Sequence, residues 1–415
     1  MLIFYYWALH MNKSYCFLTK ICLTTALIIN PVIFHANPPP PTELTQPSGV
    51  NNGPLITPAA PTLNSKAYIL IDVNSGKILA EKNSNEKLPP ASLTKMMTLY
   101  VISNALHNQQ IHLADNVRIS QEAWKIGGSR MFVKEGQQVS VEELLKGIIV
   151  DSGNDACVAM AEHLGSSESG FTEIMNHQAK NLGMTNSHFT DSTGLPNQDH
   201  YTSAKDLAIL GRALINDFPQ YYHWYKQKWF TFNGIRQPNR NRLLWRDSQV
   251  DGIKTGHTNE AGFCLVSSAK RDKMRLLAVV LNSPNDTARA DDSERLLNYG
   301  FRFFETHALY KAGTTITDLP LYKGTTDRIP VGLLADQFIT IPAGQYQRLS
   351  ISTKMPKYLE APIKKGDAAG ELMIKFDGNV VGNYPLYALQ DASKGGFYRC
   401  SKDAVKLMFK RWFGS

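Results

Sequence analysis

The chain has 415 residues, 43% of them apolar, and a formal net charge of +8. This length exceeds one ordinary domain and predicts two or three, with enough apolar residues to fill their cores. The charge falls by two, to +6, once Lys13 and Lys20 leave with a leader, and so mild an excess over so long a chain excludes a nucleic-acid binder.

Residues 1–36 hold those two cations, an apolar stretch over 21–34 interrupted by Pro31, and Ala36 ahead of a proline run. This order predicts an export signal peptide. Met11, followed closely by Lys13, suits the start of such a leader better than Met1, whose following residues are aromatic and uncharged. The apolar stretch is short for a membrane span, and an uncleaved N-terminal anchor is the alternative. Cys16 and Cys22 lie in the leader, and Cys22 lacks the small preceding residue of a lipid-attachment site. The remaining Cys157, Cys264 and Cys400 are too scattered for a disulfide framework or a metal site, so no metal or cofactor is implied.

Residues 37–64 are rich in Pro, Thr, Asn and Gly and read as an extended tether. Folding is expected to begin at Ala67-Tyr68-Ile69-Leu70-Ile71-Asp72-Val73, which with Asn74-Ser75-Gly76 and Lys77-Ile78-Leu79-Ala80 predicts a hairpin. After Pro89-Pro90, Leu93, Met96, Met97, Tyr100 and Val101 share one face of a helix. A second helical pattern covers 141–150, and a third begins just after Ser152 with Cys157, Met160, Ala161 and Leu164. Strand-like runs at 262–268 and 276–281 flank a polar turn, and a helix is expected over 293–304.

Strands at both ends with helices between predict an α+β domain over 65–307: an antiparallel sheet flanked by helices, its first and last strands adjacent. Short β-rich runs separated by Gly, Pro and Asp turns then predict a small all-β, sandwich-like domain over 308–396. Over 397–415 an amphipathic helix places Val405, Met408, Phe409, Trp412 and Phe413 on one face, with Lys406, Lys410 and Arg411 off it. That is the pattern of an interfacial membrane anchor; a helix packed on the β domain is the alternative.

Three strings carry chemistry: Ser92-Leu93-Thr94-Lys95, Ser152-Gly153-Asn154 and Lys254-Thr255-Gly256. On a helix Lys95 projects one turn beyond Ser92, so its amine can reach the hydroxyl. A serine hydroxyl needs a base, and lysine serves when burial and a second cation depress its pKa. The same S-x-x-K spacing at Ser84 and Ser267 falls in a polar loop and after a strand, where the geometry fails. Ser152 can pass a proton to a leaving amine and Asn154 can hold the substrate backbone and Lys95 in register, although either residue is also a good helix cap. Lys254 would add positive charge beside an edge strand that Gly256 keeps open to a substrate backbone.

Jointly these strings resemble the penicillin-binding protein and serine β-lactamase superfamily. Their flanks, Pro90-Ala91-Ser92-Leu93-Thr94-Lys95-Met96, Ser152-Gly153-Asn154-Asp155-Ala156-Cys157, Asp191-Ser192-Thr193-Gly194-Leu195 and Val250-Asp251-Gly252-Ile253-Lys254-Thr255-Gly256-His257-Thr258, are similar to the low-molecular-mass, serine-type D-alanyl-D-alanine carboxypeptidases. The resemblance implies a substrate, the peptidoglycan pentapeptide stem, and β-lactams as covalent ligands. It implies Ser92 as nucleophile, Lys95 as base, and Ser152, Asn154 and Lys254 as the proton network. It further implies an oxyanion hole from the Ser92 and His257 N–H groups, and a carboxylate site from Thr255 and an arginine, Arg240 or its competitor Arg242. It places the terminal helix on the periplasmic face of the bacterial inner membrane. A triad role for His257, a β-lactamase and a cross-link endopeptidase are the competing readings. The oligomeric state is not legible in the sequence.

Overall fold

The structure, a computed structural model, describes residues 57–413; the expected leader, and the expected tether as far as residue 56, lie outside the described residues. Five strands form the central sheet: β1 (Ala67–Asp72), β2 (Ile78–Lys82), β3 (Val250–Thr258), β4 (Gly262–Arg271) and β5 (Met274–Ser283). Their order is β2-β1-β5-β4-β3, so the first strand lies beside the last and β3 forms an edge. Ala67 pairs with Leu281, antiparallel.

The apolar run of β5 has no alternation because both faces of the sheet are covered. Helices α1 (Lys95–His107), α2 (Val141–Lys146), α3 (Asn154–Gly165) and α4 (Ala204–Asp217) belong to one side, and α5 (Asp286–Phe303) to the other. Successive side chains of β5 therefore enter different cores: Leu277, Val279 and Leu281 join the first, Leu276, Ala278 and Val280 the second.

Two expectations change here. Helix α5 begins at Asp286, well before residue 293, because Asn285 caps it by accepting the Ala288 N–H at 2.8 Å. Its first turns bury Arg289 and Asp292, which breaks the apolar period. The tether also ends earlier than residue 64. Leu63 is buried in the second core, the Tyr299 hydroxyl donates to the Pro58 carbonyl at 2.9 Å, and Asp292 accepts the N–H groups of Asn64 and Ser65 at 3.0 and 2.9 Å. Composition hides this docking because one leucine and backbone groups do the binding.

The C-terminal region is all β with a final helix. Strand β6 (Phe304–Tyr310) pairs with β9 (Gln337–Pro342). A six-stranded sheet contains β7 (Thr315–Tyr322), β8 (Arg328–Gly332), β10 (Leu349–Lys354), β11 (Leu359–Glu360), β12 (Ala368–Phe376) and β13 (Asn379–Ala388) in the order β10-β12-β13-β8-β7-β11. The β6-β9 pair, rather than the six-stranded sheet, meets the central sheet at the buried Asp72 carboxylate, which accepts from Ser75 Oγ of the hairpin turn and from Thr306 Oγ1 of β6, both at 2.8 Å. Helix α6 (Phe397–Phe413) docks through Leu407 and through Asp403, which accepts the Lys323 N–H at 2.7 Å. Val405, Met408, Phe409 and Trp412 stay exposed.

Candidate active site

Ser92 lies in a 3-10 turn, Ala91–Thr94, that leads directly into α1. Regular helix thus starts at Lys95, slightly later than the periodicity suggests. Lys95 is fully buried, and its Nζ stands 3.0 Å from Ser92 Oγ and 2.6 Å from the Thr193 carbonyl. The Asp191-Ser192-Thr193-Gly194 turn that supplies this carbonyl is built by Asp191 Oδ1, which accepts from Thr193 N, Thr193 Oγ1 and Gly194 N at 2.6, 2.8 and 2.6 Å. Burial alone would raise the Asp191 pKa, but the facing His200 ring, 3.2 Å away, and these hydrogen bonds outweigh it and hold the carboxyl well below its usual range. Gly194 has φ +86°, and a Cβ there would stand 1.8 Å from the Ala91 carbonyl oxygen. Only glycine lets this turn close against the serine turn.

Burial is also the main cause of a lowered Lys95 pKa; the Arg240 charge adds to it, while Asp191 and Asp155 oppose it. A buried amine that resists protonation is what a base acting on Ser92 requires.

Ser152 ends a π turn, Gly147–Asp151, with φ +59°, and its Oγ accepts from Lys254 Nζ at 3.0 Å. Neither the Ser152 nor the Asn154 side chain N-caps α3, whose N-cap is Gly153, so the N-capping reading is set aside. Asn154 also does not sit on Lys95. Its Nδ2 donates to the Gly127 carbonyl and its N–H to the Ser129 carbonyl, both at 2.7 Å. Asp155 accepts the N–H groups of Met131, Phe132 and Val133 at 2.9, 2.9 and 3.2 Å. Together Asn154 and Asp155 therefore fix the loop that walls the cleft opposite β3.

Lys254 is buried on β3, where burial first, then the charges of Lys95 and Arg240, depress its pKa strongly. Thr255 is buried and lines the cleft. A Cβ on Gly256 would meet the Pro90 carbonyl oxygen at 2.9 Å, so glycine allows the turn that carries Ser92 to approach the strand. His257 is exposed and lies against Phe263, ring centroids 4.0 Å apart; its position is that of a strand residue rather than of a base for Ser92. Arg240 faces the cleft and donates to Ser129 Oγ at 2.7 Å, whereas Arg242 turns to Asp286 at 2.5 Å.

The cleft encloses about 470 Å³, lined by Ser92, Ser129, Ser152, Arg240, Thr255, His257 and Arg289 among others. Sequence reasoning missed Ser129 and Arg289. Arg289 is buried, donates to the carbonyls of Gly256 at 2.9 Å and Cys264 at 3.3 Å, and pairs with Asp286 at 2.5 Å. The i,i+3 spacing from Asp286 on a helix was the available clue.

A serine beside a buried lysine, a second serine–lysine pair and an open edge strand define a serine acyl-transferase of the penicillin-recognising class. Residues 55–285 match the family described as D-alanyl-D-alanine carboxypeptidase, Peptidase S11, and residues 304–394 match the C-terminal domain of penicillin-binding protein 5. The chain belongs to the Peptidase S11 family of D-alanyl-D-alanine carboxypeptidases, which are serine hydrolases. It is 44% identical over 367 residues to D-alanyl-D-alanine carboxypeptidase DacC of Escherichia coli (strain K12), covering 86% of this chain and 92% of that protein. The crystal structure of penicillin binding protein 5 from Haemophilus influenzae is similar at 41% identity and a TM-score of 0.77, over 81% of this chain and 99% of that one. The ampicillin-bound form of penicillin-binding protein D2 from Listeria monocytogenes is similar at 28% identity and a TM-score of 0.55, over 59% of this chain and 100% of that one.

Proposed function

We propose that this enzyme removes the terminal D-alanine from peptidoglycan pentapeptide stems through an acyl-enzyme on Ser92. The observation that carries the mechanism is the 3.0 Å contact between Ser92 Oγ and the Nζ of a fully buried Lys95. Lys95 takes the Ser92 proton as Oγ attacks the carbonyl carbon of the penultimate D-alanine. The N–H groups of Ser92 and His257 receive the oxyanion, each worth on the order of 100-fold in rate. Ser152, hydrogen-bonded to Lys254, passes a proton to the departing D-alanine nitrogen. Water then cleaves the Ser92 ester. Asn154 acts in this scheme by holding the cleft wall rather than by moving a proton. Thr255 and Arg240 take the terminal carboxylate, for which a guanidinium fork is well shaped.

A β-lactam carbonyl enters the same attack and leaves a stable ester on Ser92. Labelled penicillin incubated with the protein is expected to be retained on Ser92 for minutes, as mapped by mass spectrometry, and Ser92→Ala to abolish both label and D-alanine release. Rapid turnover of the drug would support a β-lactamase instead, and D-alanine release that survives Ser92→Ala would refute the mechanism.

The working organisation is a leader over 1–36, a catalytic domain that takes in residues 58–303, a β domain that begins with β6 at Phe304, and the terminal helix Phe397–Phe413. Helix α6 docks by Asp403 and Leu407 and leaves Val405, Met408 and Trp412 outward. This favours an interfacial contact with the periplasmic face of the inner membrane. Among the described residues no helix is long and apolar enough to cross a membrane.

A further inference from the structure

We propose that His200 and Asp191 form a positioning pair for Lys95, holding its amine in the direction that takes the Ser92 proton. This rests on the acylation mechanism above. Thr94 stands between the two reacting residues in the chain and is fully buried, and its hydroxyl lies 2.8 Å from His200 Nε2. The other ring nitrogen, Nδ1, lies 3.2 Å from Asp191 Oδ2. Asp191 Oδ1 holds the Thr193 N–H, and the Thr193 carbonyl takes one hydrogen of Lys95 Nζ. The contacts close a ring that starts beside Lys95 and returns to its amine. A neutral amine has two hydrogens and one lone pair. With one hydrogen fixed on the Thr193 carbonyl at 2.6 Å, rotation about the last C–N bond is restricted and the lone pair is kept toward Ser92 Oγ, 3.0 Å away.

The turn itself does not need His200. It is built by the Oδ1 bonds of Asp191, by Glu168, which accepts from the N–H and hydroxyl of Ser192 at 3.1 and 2.7 Å, and by Thr98 Oγ1, which donates to the Ser192 carbonyl at 2.6 Å. A buried pair of this kind costs about as much in desolvation as its attraction returns, yet His200 is only 2% exposed. Its ring is held edge-on to Phe189, centroids 5.7 Å apart. An ionised carboxylate can only accept, so the ring hydrogen lies on Nδ1, which outweighs the longer approach of the Thr190 N–H at 3.4 Å. Thr94 serves either state of Nε2, because a hydroxyl both donates and accepts.

The test measures, on the full chain, acylation of Ser92 by saturating labelled penicillin and D-alanine release from a pentapeptide. His200→Ala is expected to slow the limiting acylation rate and kcat about tenfold to a hundredfold, the cost of a misplaced reacting group, while KM and the drug's dissociation constant stay within about twofold. His200→Asn places an amide nitrogen where Nδ1 stands, keeping the link to Asp191 and losing that to Thr94. It should recover part of the loss and resemble Thr94→Val. Adding Thr94→Val to His200→Ala should cost nothing more, because Thr94 acts through the ring. Unaltered rates in His200→Ala, a loss shared equally between rate and affinity, no recovery in His200→Asn, or additive losses in the double variant overturn the positioning role. If His200→Ala does not fold, unaltered acylation of Thr94→Val overturns it instead. Absence of label on Ser92 in the unaltered protein overturns the acylation mechanism on which the pair rests.

Discussion

Asp151, the residue before Ser152, is 1% exposed, and its Oδ1 has no hydrogen-bond partner. Burial chiefly, and the neighbouring Asp155, raise its pKa from 3.8 to about 7, with Arg240 pulling the other way. The folded-state value lies above the unfolded one. Its contribution is therefore unimpaired below pH 3.8 and is lost progressively as the pH rises to about 7, where the loss levels off. The full loss is about 4 kcal/mol, and about 2.5 kcal/mol of it falls between pH 5 and pH 8. Asp151→Asn removes the titration while keeping the shape. Urea unfolding of both proteins at pH 5 and pH 8 isolates this one group, because every other titration is common to the pair. The variant's advantage is expected to grow by about 2 to 3 kcal/mol from pH 5 to pH 8 with unchanged m. A difference that stays constant with pH would refute the claim that an ionisable carboxyl is buried beside Ser152.

Because burial lowers the Lys95 pKa, acylation of Ser92 by penicillin is expected to fall as acid protonates Lys95, with a midpoint below the ordinary lysine value of 10.5. Stopped-flow rates across pH would show it, and a midpoint at or above that value would contradict the assignment. Arg240→Ala should raise KM for the pentapeptide about 10- to 100-fold while largely sparing kcat, the usual worth of a hydrogen bond to a charged group. A substrate with an amidated C-terminus should lose little, and Arg242→Ala should behave nearly as the unaltered protein, since its guanidinium faces Asp286. Gly194→Ala forces a Cβ onto the Ala91 carbonyl and should reduce penicillin acylation at least about tenfold at unchanged circular dichroism. Met408→Asp combined with Trp412→Asp should abolish co-sedimentation with anionic vesicles while leaving soluble D-alanine release intact; persistent binding would point to another anchor.

Strands β1 and β5 and helix α1 were legible because apolar periodicity records which faces are covered and each is long enough to express it; α4 was not anticipated. The contact between Ser92 and Lys95 was legible too, since the two are neighbours on one turn and need only local geometry. The docking of residues 58–64 and the early start of α5 were not, because backbone hydrogen bonds to Asp292 and a cap by Asn285 leave no hydrophobic period to read.

Within the site the same division holds. Sequence alone determined the family and singled out the Ser92–Lys95 pair that the structure holds at 3.0 Å, both of which are properties of short contiguous strings. Tertiary structure alone decided that Arg240 rather than Arg242 faces the cleft, that Arg289 braces Gly256, and that Asn154 holds the loop at Gly127 rather than Lys95. Each of those outcomes depends on where a side chain points relative to an element distant in sequence, and that direction is set by packing of the whole fold rather than by any local preference.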